Sequence, residues 1–180
     1  MKLIASDSIY NYVSNIIKMK IGFIGTMAEE ITPPPLLPTS TLKSIRAVES
    51  LYHKFTDCKL DHNLKGRIRF CYKYALQASI CYPELIYCEG LATNKNVMGI
   101  PLQHAWCVHS ETGEIWDPVW KNKHEGTGYC GVPLNRKFIN SVILASGTYG
   151  VLDSLCLHRQ FYDNQLRDVV HPAYHSVLFK

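Results

Sequence analysis

Apolar residues at Ile9, Val13, Ile16 and Ile17 recur on one face, with Asp7 or Ser8 placed to cap them, and predict an amphipathic helix over 7–19. Four prolines in ITPPPLLPTST (31–41) rule out helix or central strand there and predict an extended connector. Thr39, Ser40 or Thr41 then caps a second helix running to about Phe55, and DHNLKG (61–66) breaks the pattern. A third helix spans IRFCYKYALQASI (68–80) and ends ahead of Pro83. From there the period changes. ELIYCEGLA (84–92), LQHAWCVH (102–109) and EIWDPVW (114–120) have strand character, with Pro118 limiting the last to an edge or a strand end. NKHEGTGYCGVP (122–133) reads as a Gly-rich loop. NRKFINSVILAS (135–146) and VLDSLCLHRQFY (151–162) read as helices around Gly147 and Gly150, and the tail from His171 shows no usable pattern. Helices, then a meander of strands, then helices give an α+β class, with helices packed on an antiparallel sheet.

Length and composition narrow this further. The 180 residues suggest one domain, with an N-terminal helical arm and Pro-rich connector (1–60), a core (61–134) and C-terminal helices (135–180). The net charge of +4 is mild and no basic run is present, which argues against a nucleic-acid partner. No apolar stretch approaches the roughly 18 residues of a membrane span. The N-terminus is interrupted by Asp7, Ser8, Asn11 and Asn15, unlike a signal peptide. Seven cysteines with no CxxC pair, in a chain without an export signal, lead us to expect reduced thiols and a cytoplasmic location.

The chemistry concentrates in HAWCVHSETGEIWDPVW (104–120). His104, Trp106 and Val108 share one strand face. If the turn were only Thr112-Gly113, Asp117 would lie opposite Val108, about 13 Å along the strand from His104. If the loop is Ser110 to Gly113, Asp117 lies opposite Trp106 and diagonal to His104, roughly 7–8 Å away and within side-chain reach. A histidine held by a carboxylate suits a base serving a nucleophile, and Cys71 lies on the preceding helix. Each residue also has a plainer reading. Cys71 shares a helical stripe with Ile68, Tyr72, Ala75, Leu76 and Ser79, as a core cysteine would. Asp117 before Pro118 could simply cap a turn. Cys88, beside Glu89, reads as packing, and Glu89 as a surface residue or an acceptor near the cleft. A metal site drawn from Cys58, His62 and Cys71, or from His104 and Cys107, lacks a standard zinc spacing, so no metal or cofactor is expected.

Cys-Tyr-x-x-Ala at 71–75, then YCEG, HAW, WDPVW and YCGVP, resembles the transglutaminase-like superfamily of papain-fold cysteine enzymes, nearest to small bacterial and phage members. The resemblance covers about residues 66–134. It implies a papain-like core in which Cys71 is the nucleophile, His104 the base and Asp117 the group that orients His104. It implies acyl transfer on a protein or peptide amide through a thioester, as protease, glutamine deamidase or transglutaminase. Trp106, Glu89, Tyr129 and Gly131 are the candidate substrate-binding residues. The Cys71 N–H is the candidate first oxyanion donor; no Gln precedes Cys71, so the second donor stays open. The competing expectation is a catalytically inactive module of the same fold that occludes a partner protein.

Overall fold

The two longest alternating segments form the middle of the sheet. In the computed structural model, which describes residues 51–55, 66, 70–97, 101–120, 126–152 and 166–179, strand β2 (Leu85–Asn94) pairs antiparallel with strand β3 (Pro101–His109). With β1 (His53–Phe55), β4 (Ile115–Trp116) and β5 (Gly126–Pro133) they make a five-stranded sheet in the order β1-β5-β2-β3-β4, antiparallel throughout. The fold is therefore mixed α+β with an antiparallel sheet.

Alternation explains how both faces become core. On one face Leu85, Tyr87, Ala105, Cys107 and Val132 pack against helix α1 (Cys71–Cys81) and helix α2 (Arg136–Ser146) through Ala75, Leu76, Phe138, Ile139 and Val142. The Cys107 thiol donates to the Ala75 carbonyl across 3.1 Å, tying α1 to β3. On the other face Phe55, Cys88, Ala92, Trp106, Val108, Ile115 and Tyr129 form a second, aromatic-rich cluster. β2 is buried along its whole length, as befits a strand covered on both faces.

Helix α1 starts at Cys71 and not three residues earlier, and it stops at Cys81, two residues ahead of Pro83. Helix α2 follows its sequence signals closely: the Asn135 side chain accepts from the Lys137 N–H, and Gly147 closes the far end in the left-handed region. Two expectations are corrected. His53–Phe55 is a strand and not the end of a helix, because β5 supplies its ladder and Phe55 packs edge-on against Trp106. The Gly-rich segment expected as a loop is β5, which lies inside the sheet between β1 and β2.

Its glycines have a packing reason. Gly131 faces Gly90 directly across the ladder. A Cβ on Gly131 would collide with the Glu89 carbonyl oxygen and lie 2.6 Å from Trp106 Cη2. The Trp106 ring, reaching from β3 over β2, fills the space that side chains would otherwise need. The expected helix at 7–19 and the connector at 31–41 lie outside the described residues, as does the expected helix over 151–162 apart from Val151 and Leu152. No described helix is long and apolar enough to cross a membrane.

Candidate functional site

The site is built on the β3–β4 hairpin. The His109 N–H donates to the Glu114 carbonyl at 2.8 Å, and the Gly113 N–H donates back to His109 at 2.9 Å, closing a loop of Ser110 to Gly113. Val108 pairs with Ile115 and Cys107 with Trp116. Continuing that register sets Asp117 opposite Trp106 and diagonal to His104, so the longer of the two loops is the one present. β4 ends at Trp116 because Pro118 offers no N–H for a further rung.

Asp117 then divides its two oxygens between two tasks. Oδ1 accepts the backbone N–H groups of Val119 (2.9 Å) and Trp120 (3.0 Å), the turn-capping role open to an Asp before Pro. Oδ2 accepts His104 Nε2 at 2.6 Å and the Tyr129 hydroxyl at 3.0 Å. The sequence offered turn cap and histidine partner as rival readings; a carboxylate with two oxygens does both. Nearby, the Gly66 N–H donates to the Pro118 carbonyl at 2.7 Å and braces the same turn.

His104 is 3% exposed, with its ring stacked on Trp120 at 4.0 Å and nearly parallel. Nε2 is committed to Asp117, which leaves Nδ1 open, and Cys71 lies near enough to act on the ring electrostatically. Burial by itself lowers the imidazole pKa, but the Asp117 charge and hydrogen bond, aided by Cys71, outweigh it and lift the pKa to about 9. The ring therefore carries its proton through neutral pH.

Cys71 opens α1. Phe70 stands at the cap position without a side-chain cap bond, and the first helical bond runs from the Tyr74 N–H to the Phe70 carbonyl at 3.0 Å. The Cys71 N–H thus belongs to a first turn whose amides have no intrahelical acceptor. Cys71 is buried, while the preceding Phe70 is 52% exposed.

The structure brings Cys71, His104 and Asp117 together, with Trp106 and Tyr129 packed around His104 and Asp117. Trp106, Glu89, Tyr129 and Gly131 are all buried. Trp106 covers Gly131 inside the aromatic cluster, and Tyr129 binds Asp117 from behind. Glu89 points to the opposite face, where Oε1 and Oε2 accept the Val151 N–H (2.8 and 2.7 Å), Oε2 the Leu152 N–H (2.8 Å), and Oε1 the Tyr87 hydroxyl (2.6 Å). Strand alternation alone gives the side of the sheet on which Glu89 lies, but its loop partners are more than sixty residues away. Cys88 is fully buried, and burial, then Cys107 and Glu89, push its thiol pKa well up, which fits a packing role.

Sequence reasoning missed the Trp120 stack, the Gly66 brace and the exposed Phe70 beside Cys71. The signal for the first was present in the order Asp-Pro-Val-Trp: an Asp cap that binds the second and third following amides swings the third residue back beside the capped group. Among the described residues no group of three or more His, Cys, Asp or Glu is arranged to hold a metal ion. Cys107 lies on the face of β3 opposite His104, and Cys58 and His62 lie outside the described residues. Comparison with known proteins finds no family model, no curated protein and no solved structure that matches the chain.

Proposed function

We propose that the chain is a cysteine-dependent acyl-transfer enzyme with a papain-like, transglutaminase-like core, acting on amide bonds of a protein or peptide. The observation that carries this reading is the His104–Asp117 pair, with Nε2 on the carboxylate, Nδ1 open, and Cys71 near enough to act on the ring. The Cys71 thiolate attacks the amide carbonyl carbon and forms a C–S bond, and the carbonyl oxygen takes up negative charge beside the Cys71 N–H. The protonated His104 gives its Nδ1 proton to the departing nitrogen as the C–N bond breaks, leaving a thioester and a neutral ring. That ring then takes a proton from water or an amine as it attacks the thioester, and the thiolate is released. Asp117 keeps the ring oriented and offsets its charge at each stage.

Water acting on a glutamine side chain gives deamidation, water on a peptide bond gives proteolysis, and an amine gives cross-linking. No step requires a cofactor. The five described cysteines are free thiols, in keeping with a reducing, cytoplasmic setting.

The test is alkylation of the native protein with iodoacetamide across pH 5–9, with mass-spectrometric mapping of all seven cysteines, in wild type and His104→Ala. Cys71 is expected to react first, already near pH 6, and to slow at least tenfold without His104. A silent Cys71 with another cysteine leading would overturn the nucleophile assignment. A reactive Cys71 would then be offered glutamine peptides, with ammonia release, peptide cleavage and amine incorporation as separate readouts.

A further inference from the structure

Four donors converge on Asp117, two on each oxygen: the Val119 and Trp120 amides on Oδ1, and His104 Nε2 and the Tyr129 hydroxyl on Oδ2. A carboxylate offers about four lone-pair sites, so this one is filled. Backbone amides hold Oδ1, which fixes where the carboxylate sits. Oδ2 is shared between the ring and a phenol that comes from β5, with β2 lying between that strand and β3. The phenol is delivered rigidly. Tyr129 is 2% exposed and packs edge-on against Trp106 at 5.1 Å, and Trp106 is seated over Gly131.

We propose that Tyr129 is a positioning residue of this site, whose hydroxyl steadies Oδ2 on His104 and draws off part of the charge the ring would otherwise feel, so that it sets the basicity of His104 through Asp117. The purpose of this arrangement rests on the acyl-transfer reading; the coupling itself does not. Two donors on one oxygen share its charge, and a hydrogen bond to the charged form of an acid weakens that acid's pull on a neighbouring cation. A proton donor works best with a pKa near the working pH. His104 already stands high, at about 9, and loss of the phenol would carry it further from neutrality.

The experiment titrates His104 by NMR in the full chain with 13C-labelled histidine, the signal being assigned with His104→Gln. Three proteins are compared: wild type, Tyr129→Phe, and a chain in which 3-fluorotyrosine, a more acidic phenol and stronger donor, replaces Tyr129. The rate of Cys71 alkylation against pH is read in parallel. The His104 midpoint is expected to rise by about half a pH unit or more in Tyr129→Phe and to fall by a smaller amount with 3-fluorotyrosine. The alkaline limb of the alkylation profile should move the same way. Unchanged midpoints in both variants would reduce Tyr129 to a packing residue, and a fall in Tyr129→Phe would overturn the proposal outright. If Tyr129→Phe does not fold, the near-isosteric fluorinated chain decides alone. Should the midpoints shift as expected while wild-type Cys71 alkylates no faster than the exposed Cys81, the coupling stands and the acyl-transfer reading falls.

Discussion

Asp117 and Glu89 are two buried carboxylates on opposite faces of one sheet, and their surroundings are alike up to a point. Each accepts two successive backbone amides, Val119 and Trp120 at one, Val151 and Leu152 at the other. Each also accepts a tyrosine hydroxyl, from Tyr129 or Tyr87. The difference is what the anchored carboxylate does next. Asp117 holds the ring of His104, whose pKa it raises to about 9. The described bonds of Glu89 fasten a loop to the sheet, and burial together with the Glu89 charge pushes the Tyr87 phenol well above its usual pKa, so the hydroxyl stays a donor. A buried carboxylate satisfied by amides and a phenol is therefore a structural clamp. The same clamp becomes chemically useful when one oxygen also meets a titratable ring.

Replacements can break or sharpen this contrast. The largest effect is expected from Glu89→Ala, which leaves the buried Val151 amide, the half-buried Leu152 amide and a buried phenol without their acceptor. At roughly 1–3 kcal/mol for each orphaned group, a loss of about 4 kcal/mol should appear in urea denaturation, with the His104 titration unmoved. A loss below about 1 kcal/mol would mean that Glu89 is no clamp.

Asp117→Asn should instead change how stability depends on pH. His104 has its folded pKa raised from 6.5 to about 9. Its stabilising contribution is thus complete below pH 6.5 and disappears as pH rises through 9, on the order of 3 kcal/mol in all. Denaturation midpoints between pH 6 and 10 should fall in wild type and stay flatter in Asp117→Asn. Equal slopes would deny that Asp117 holds the proton on His104.

Gly131→Ala tests the wall between the faces, since its Cβ would meet both the Glu89 carbonyl and Trp106. About 2 kcal/mol of destabilisation is expected, together with broadened Trp106 and Tyr129 NMR signals. The smallest effect belongs to Gly113→Ala in the hairpin loop. There φ is +71° and nothing lies near the added methyl, so backbone strain of about 1 kcal/mol is all that should appear, measured by thermal unfolding, with His104 titrating as before.

How much of this was legible in the chain follows from distance along it. The α+β class, helix α2, and β2 and β3 were plain in the periodicity, because helical spacing and alternation are local rules. The strand nature of 126–133 was hidden because glycine is a poor strand former until an opposing glycine and a covering ring make room for it. The partners of Glu89 were hidden because they lie across the fold.

By itself, then, the sequence determined the hairpin and the pairing within it. His104 and Asp117 are thirteen residues apart, and strand alternation plus a four-residue loop bring them to one face with few other choices. Tertiary structure alone decided which oxygen of Asp117 holds the ring, that Tyr129 shares it, which loop Glu89 binds, and that Cys71 opens its helix beside His104. Those outcomes depend on how α1, β5 and the loop at 147–152 pack around the sheet, a balance of burial and hydrogen bonding among distant segments that no local spacing encodes.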